Sequence, residues 1–168
     1  LEKSLNSLIH QTYPASQIIV VNDNSSDQTG AIANAFAEKN SNLSVVHASS
    51  SNSHEPGSKI IKAFYKGYNE LKGNFDIVCK FDADLIFPKE YLFQLNKAFT
   101  ANTKLGMYAG FCYIQKNHKW VKEKLTNDDH IRGPLKAYRK ACFEDIGGLK
   151  KEMGWDTVDE LLARFYGW

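Results

Sequence analysis

Two aspartates one residue apart, Asp82 and Asp84, follow a short apolar segment at residues 77–81. Residues i and i+2 of an extended chain project to the same side, so this spacing predicts that both carboxylates face one point at the strand end. Like charges that close repel each other, which favours a cation between or beyond them. Mg²⁺ is typically held by one or two carboxylates together with substrate phosphates, so we expect a phosphorylated ligand bound with a divalent cation.

A second acidic cluster follows the apolar run at residues 17–22. This run is continuous and β-branched, which is typical of a strand buried on both faces. Asp23 starts the turn-rich segment after it, and Asp27 is placed to cap the next helix. Ligands of parallel α/β sheets bind beyond the carboxyl ends of the strands, so we expect Asp23 to share an edge with Asp82 and Asp84. A plain turn and a solvated loop are the alternatives for the two clusters.

The elements that position these residues alternate between strand and helix. Strands are predicted at residues 17–22, 43–47, 76–81 and 105–114, and helices at residues 1–10, 27–39, 59–72 and directly after Pro88. A polar loop, expected to be mobile, covers residues 49–57. This order predicts an α/β fold with a mostly parallel central sheet and helices on both of its faces.

The composition is that of one soluble globular domain: 168 residues, 43% hydrophobic and 24% charged. A net charge of +2 gives no argument for nucleic-acid binding. No run approaches the roughly 18 apolar residues of a membrane span. Cys79, Cys112 and Cys142 are widely spaced with no CxxC pair, which indicates reduced thiols in a cytosolic setting. The histidines share no metal-ligand spacing, so no zinc site is expected.

Four segments, taken in order, resemble the family 2 glycosyltransferases. The first segment consists of Gln11-Thr12-Tyr13-Pro14 together with residues 18–27, and the second is Phe81-Asp82-Ala83-Asp84. Residues 133–149 resemble the acceptor-side segment of that family, and residues 154–160 resemble the acidic motif that supplies its catalytic base. The resemblance implies the three-layer α/β/α GT-A fold, a Rossmann-like fold of nucleotide-diphosphate-sugar transferases.

The resemblance also implies roles for individual residues on the donor side. Asp23 would contact the nucleotide base, although Asn22 stands where an aspartate is common in the family. Asp82 would lie near the ribose and the metal, and Asp84 would bind Mg²⁺ or Mn²⁺. The cation would neutralise the diphosphate as it leaves. Lys59 could assist the phosphates, with a solvated lysine at the helix start as the alternative.

Inverting members of the family need a general base that deprotonates the acceptor hydroxyl. Asp156 is our first candidate and Asp159 the second. The spacing between them is one residue longer than the common Glu-Asp-x-Asp form, so the assignment stays open between the two. The alternative is that both residues cap the helix that follows.

The implied reaction is a metal-dependent, inverting transfer of a sugar from a nucleotide-diphosphate donor to a hydroxyl group. A UDP-sugar is the first candidate for the donor. The acceptor would be a glycan or a lipid-linked glycan, as in polysaccharide synthesis. We expect a cytoplasmic protein and leave contact with the inner face of the membrane open. Four lysines surround Trp120 in residues 116–124, which suits an anionic lipid surface or lipid-diphosphate acceptor, with a solvated basic face as the alternative.

Both ends of the chain fall directly in helical patterns. We therefore interpret residues 1–168 as a single glycosyltransferase domain that lacks its first strand and its C-terminal part. Two other interpretations remain open. One is a phosphatase of the haloacid dehalogenase type, in which a strand-borne DxD supplies an aspartyl nucleophile and an acid/base. The other is a non-catalytic fragment that keeps the fold.

Overall fold

The computed structural model describes residues 1–49 and 57–168, so residues 50–56 of the predicted polar loop lie outside the described residues. The helices are α1 (Glu2–Ile9), α2 (Thr29–Lys39), α3 (Ser58–Tyr68), α4 (Tyr91–Ala101), α5 (Lys140–Asp145) and α6 (Trp155–Phe165). The strands are β1 (Ile18–Asp23), β2 (Leu43–Ala48), β3 (Ile77–Phe81), β4 (Met107–Tyr108), β5 (Tyr113–Lys116), β6 (Lys119–Lys122) and β7 (Leu135–Arg139).

Strands β1 and β2 form a parallel pair, in register from Ile18 opposite Leu43 to Asp23 opposite Ala48. Helix α3 lies close against β1 because it carries Gly67, where a Cβ would come within 2.8 Å of Val21 Cγ2. The expectation that this strand is buried on both faces is wrong, since its first four side chains are only half-buried. Among the described strands, β1 has a single hydrogen-bonded neighbour, which leaves its other edge open.

Strand β7 lies between β3 and β4 and runs antiparallel to both. The longer of these two ladders places Ile77 opposite Arg139 and Phe81 opposite Leu135. The predicted α/β class is confirmed. The described strands form three separate sheets: the parallel β1–β2 pair, the antiparallel sheet β3–β7–β4 and the antiparallel β5–β6 hairpin. Because β7 runs antiparallel to β3, the segment that begins β7, after residue 133, lies beside the end of β3, directly before Asp82.

Apolar layers cover both faces of the β3–β7 ladder. On one face, Val78 and Tyr138 belong to a core that includes Trp155 and Ala163 of α6. On the other face, Ala137 packs with Leu95 and Phe99 of α4. Successive side chains of a strand alternate between faces, so each strand of the ladder supplies both cores. Asp156 and Asp159, described below, belong to α6 on the first of these faces.

The strand predicted at residues 105–114 is wrong as a continuous element. It divides into the two-residue strand β4 and the start of the β5–β6 hairpin. Gly110 lies between these strands, where a Cβ would be 3.1 Å from Tyr91 Cε2, and its N–H donates to Tyr91 Oη at 3.3 Å. The chain therefore leaves the sheet to pass over the Tyr91 ring. None of the described helices is long and apolar enough to cross a bilayer.

Candidate functional site

Asp23 ends β1, and its nearest described cation is Lys59 in the first turn of α3. Lys59 Nζ lies 4.0 Å from Asp23 Oδ2. Asp23 is mostly buried, whereas the Lys59 side chain is about half-exposed. Parallel strands and the helices between them bring the end of β1 and the start of α3 to the same edge. The two residues therefore form a carboxylate–ammonium pair with open access to solvent on the lysine side.

The backbone before this pair is held by a polar cluster around Asn22. Asn22 Oδ1 accepts a hydrogen bond from Ser25 N at 3.2 Å, and its Nδ2 lies 3.3 Å from His47 Nδ1. Asn24 is left-handed, with φ of 59°. Asp27 Oδ1 accepts from Thr29 N at 2.9 Å at the start of α2, and hydrogen bonds with Thr29 lower the pKa of this carboxyl. Asp27 therefore accepts a hydrogen bond at the start of α2 without being its cap, since the N-cap residue of this helix is Gln28.

Asp82 follows β3 directly and is tied to two neighbouring groups. Its N–H donates to Pro134 O at 2.8 Å, and its Oδ1 accepts from the ammonium group of Lys80. The expectation that Asp82 and Asp84 follow the strand in an extended conformation is wrong. Strand β3 ends at Phe81, and residues 83–84 form a turn closed by the contact between Leu85 N and Asp82 O at 3.5 Å.

Asp84 is exposed in this turn, and none of the described residues pairs with its carboxylate. The described residues contain no cluster of three or more histidine, cysteine or acidic side chains that could hold a metal by themselves. In the described part of the chain, Asp84 has a free carboxylate, and Asp82 uses only Oδ1 for its contact with Lys80. Two carboxylates of this kind still fit Mg²⁺ or Mn²⁺. Such ions take few protein carboxylates and complete their shell with water and substrate phosphates. Asp84 and Asp82 would hold that ion.

Asp156 lies in the first turn of α6 and faces the segment before β7. Its Oδ2 is 3.1 Å from the position that a Cβ would take at Gly133. The carbonyl of Gly133 also accepts from Lys80 Nζ at 3.1 Å, and Lys80 is the partner of Asp82. Gly133 therefore links the two aspartates: it lies beside Asp156, and its carbonyl shares the Lys80 ammonium group with Asp82. Asp23 and Lys59 are not connected to this group by a hydrogen bond or ion pair among the described residues.

Asp159 has a different environment, because it is 2% exposed and surrounded by buried partners. Lys136 Nζ lies 2.7 Å from its Oδ1 and 2.9 Å from its Oδ2. The hydroxyl of Tyr138 donates to Oδ2 at 2.5 Å. Burial, followed by the charge of Asp159, raises the pKa of Tyr138. The helix-cap alternative fails for both aspartates, since the N-cap residue of α6 is Gly154.

Reasoning from the sequence missed Lys80 and Lys136 as parts of the site. A lysine inside an apolar strand, two residues before a carboxylate, is a signal for Lys80, because both side chains project to one face. The signal for Lys136 is weaker. Its importance depends on α6 packing on β7, which no local spacing in the chain specifies.

The base of the β5–β6 hairpin also borders the two aspartates. Burial raises the pKa of the Cys112 thiol; Arg132 lowers it, and the charges of Asp82 and Asp84 add to the increase. The carbonyl of Cys112 accepts from Glu123 N at 2.9 Å, and Glu123 forms an ion pair with Arg132. The hairpin therefore begins and ends within electrostatic range of the aspartates.

Comparison with known proteins gives the same family along most of the chain. The model of "Glycosyl transferase family 2" matches residues 1–149, which include the segments of Asp23, Asp82 and Asp84 but end before α6. A probable glycosyltransferase of Bacillus subtilis, YdaM, is 28% identical over 99% of this chain. The poly-β-1,6-N-acetyl-D-glucosamine synthase of Staphylococcus epidermidis is 27% identical over 94% of it.

This chain spans less than half of these relatives, 43% of YdaM and 39% of the synthase. A mannosyltransferase of Pyrobaculum calidifontis, solved with GDP-mannose and Mn²⁺, matches 99% of the chain with a TM-score of 0.71 at 19% identity, and the match covers 48% of that protein. This likeness confirms the predicted GT-A fold. The matched family favours a transferase over the phosphatase alternative. The chain belongs to glycosyl transferase family 2.

Proposed function

We propose that the protein containing this chain transfers a sugar from a nucleotide-diphosphate donor to an acceptor hydroxyl, with a divalent cation and in one inverting displacement. The acceptor oxygen forms the new bond to the anomeric carbon while the bond from that carbon to the diphosphate oxygen breaks. The bonding electrons leave with the nucleoside diphosphate. The acceptor proton passes to a protein carboxylate.

Asp156 is the carboxylate that we assign as the general base. It lies in the first turn of α6, half-buried and next to Gly133, and among the described residues no ammonium group pairs with its side-chain carboxylate. Asp159 is held by Lys136 and Tyr138, so its oxygens are already occupied as acceptors. A general base must reach the proton that it abstracts, which favours the more accessible of the two aspartates.

Donor binding is assigned to the edge that carries the other acidic residues. Asp23 can accept the imide N–H of a uracil base, and Lys59 is close enough to neutralise donor phosphates. Asp82 would lie near the ribose and the cation, and Asp84 would be the more exposed ligand of the cation. When bound, the cation supplies electrostatic stabilisation of the charge that develops on the departing diphosphate.

The observation that carries this proposal is the connection between Asp82 and Asp156. Lys80 contacts both the Asp82 carboxylate and the carbonyl of Gly133, and Asp156 Oδ2 lies 3.1 Å from the position that a Cβ would take at that glycine. A donor-side carboxylate and a candidate base are therefore connected through Lys80 and Gly133. One-step transfer needs such an arrangement, since acceptor and donor must meet at the same carbon.

The test is release of nucleoside diphosphate by the full-length protein from a panel of UDP-sugars and GDP-mannose, with Mn²⁺, with Mg²⁺ and with EDTA. We expect a UDP-sugar to be used and EDTA to abolish its use. Asp84→Asn removes a charged ligand of the cation and should lower kcat/KM at least about a hundredfold.

Asp76→Asn is the matched control, because Asp76 is an exposed carboxylate just before the same strand. This variant should keep the wild-type rate. Full activity in EDTA, or equal losses in the Asp84 and Asp76 variants, would contradict the assigned cation site. Turnover of GDP-mannose alone would contradict the assignment of a uridine donor and leave the transfer reaction in place.

We propose further that the protein acts in the cytoplasm on a glycan or lipid-linked acceptor, in contact with the inner face of the membrane. The β5–β6 hairpin supports this location, since it exposes aromatic and basic side chains together. Trp120 is 64% exposed, and Lys116 and Lys119 lie opposite each other near the hairpin tip. Tryptophan and lysine are the residues that suit the head-group region of an anionic bilayer.

A further inference from the structure

Two buried lysines lie directly opposite each other in the β3–β7 ladder. Lys80 and Lys136 are register partners, and they are 7% and 0% exposed. Like charges on facing positions of two strands destabilise a sheet, and burying an ammonium group without compensation is costly. The next pair along the same face, Val78 with Tyr138, belongs to the apolar core. A lysine pair at this place therefore needs strong local partners.

The partners of the two lysines point in different directions. Lys80 bonds to the Asp82 carboxylate and, at 3.1 Å, to Gly133 O. Lys136 binds both oxygens of Asp159 and donates to the carbonyl of Asp156 at 2.5 Å. One ammonium group is thus directed to the strand end that holds the donor-side carboxylate. The other is directed to the first two turns of α6.

Trp155 lies beside both lysines. Its ring centroid is 5.3 Å from Lys80 Nζ and 5.6 Å from Lys136 Nζ, and the residue is 7% exposed. Ammonium groups within about 6 Å of an indole ring are attracted by its quadrupole. Trp155 is also the neighbour of Asp156 in the chain. The lysine pair consequently holds the start of α6 by a ring contact as well as by hydrogen bonds.

We propose that Lys80 and Lys136 are positioning residues, which set the distance between the donor end of the site and its general base. Lys80 orients Asp82, and Lys136 orients Asp156 through the backbone of the first turn of α6. The rigid ladder between the two lysines keeps the two carboxylates in register. The proposal rests on the proposed transfer reaction, and neither lysine needs to touch a substrate.

The first test removes Lys136 and Asp159 together. Glu160, whose Oε1 also lies 3.3 Å from Lys136 Nζ, keeps His130 Nδ1 at 3.0 Å as a partner. Replacing both members of a buried ion pair by apolar residues is often neutral for stability, whereas removing one member is strongly destabilising. We expect Lys136→Met/Asp159→Leu to fold, with a stability below that of the wild type because the buried Tyr138 hydroxyl loses its acceptor. Its kcat should fall at least tenfold, with the KM of the donor unchanged, because only the orientation of Asp156 is lost.

Lys140→Met/Glu144→Gln is the matched control, because it removes an exposed ion pair with an Nζ to Oε1 distance of 3.9 Å on neighbouring α5. This variant should keep both kinetic constants. If the folded Lys136→Met/Asp159→Leu variant also keeps its kcat, the buried pair has only a structural role and the proposal is overturned.

The second test distinguishes the role of Lys80 from that of Lys136. Lys80→Met removes the partner of Asp82 and leaves α6 tied by Lys136. We expect the KM of the donor to rise about tenfold and kcat at saturating donor to stay within a factor of about two, the opposite of the α6-side variant. The same kinetic change in both variants would overturn the assignment of separate carboxylates to the two lysines.

A third measurement does not depend on a donor. Amide hydrogen exchange at residues 155–160 should be faster in Lys136→Met/Asp159→Leu than in the wild type, while exchange in α4 stays the same. Unchanged exchange at residues 155–160 would overturn the tie between Lys136 and α6. If the wild type uses no donor at all, the proposed transfer fails, and the exchange result still decides whether Lys136 fixes this turn.

Discussion

Asp156 and Asp159 are three residues apart on one helix, and their surroundings separate their roles. The sequence identifies both as acidic candidates, because each falls in the segment that resembles the family's acidic motif. It does not say which one is buried, since that depends on the side of α6 that packs on β7. The structure places Asp159 against Lys136 and Tyr138 and leaves Asp156 against Gly133.

We expect opposite consequences from the two asparagine substitutions. Asp156→Asn should keep the free energy of unfolding within about 0.5 kcal/mol and lower kcat about a hundredfold or more. Asp159→Asn leaves the buried Lys136 ammonium group with Glu160 Oε1, at 3.3 Å, as its counter-charge, so it should destabilise the protein by at most about 3–5 kcal/mol. Urea unfolding and steady-state kinetics of both variants check this. A stable Asp159 variant that is inactive, beside an active Asp156 variant, would reverse the assignment.

Elements were predicted best where their pattern is local. The strands before Asp23 and Asp82 and the helices α2 and α4 follow from apolar runs and periodicity. The β5–β6 hairpin did not, because its turn is formed by Asn117 and His118, with φ of 47° and 61°. Two successive left-handed residues match a two-residue hairpin turn, for which Asn-Gly is the usual signal. Histidine in the second position hides that signal.

This hairpin should bind anionic membranes through its tip. Ile114 and Val121 form an exposed apolar pair next to the facing lysines Lys116 and Lys119. Each lysine near an anionic surface contributes about 1 kcal/mol, so Lys116→Glu/Lys119→Glu should weaken binding at least about tenfold. Co-sedimentation with phosphatidylcholine vesicles, with and without phosphatidylglycerol, measures the effect.

Lys3→Glu/Lys104→Glu makes the same change in net charge at exposed positions outside the hairpin. It should bind vesicles better than the hairpin variant does. Equal binding by the two variants would show that net charge alone governs the contact, and absence of binding to phosphatidylglycerol vesicles would exclude this membrane role.

At the scale of the whole molecule, several acidic protons are held inside the cores. Burial raises the pKa of the Cys79 and Cys142 thiols from their ordinary value of 9.0 to about 12. The pKa of Tyr138 is raised as well, by burial and by Asp159. The layers on both faces of the β3–β7 ladder cause these shifts, since Cys79 lies on the α4 side and Tyr138 on the α6 side.

The protein should therefore lose stability in alkaline solution. Above pH 9 the unfolded thiols lose their protons while the folded thiols keep them, so the unfolded state is favoured until the folded pKa near 12 is passed. Each thiol contributes a decrease of about 1.4 kcal/mol per pH unit in this window. Urea unfolding in reducing buffer at rising pH measures how steeply the free energy of unfolding falls with pH. Cys79→Ala should make this slope shallower by the contribution of one thiol. An unchanged slope in that variant would contradict the pKa of Cys79.

The antiparallel register of β7 has a consequence for changes in chain length. A strand presents alternate residues to opposite faces. One residue inserted between Pro134 and Tyr138 would therefore move the side chains of the shifted part of β7 from one face of the ladder to the other. Lys136 would then enter the apolar layer of α4, and Ala137 would take its place beside α6. Variation in loop length is therefore expected at the β5–β6 turn, and engineered insertions belong there.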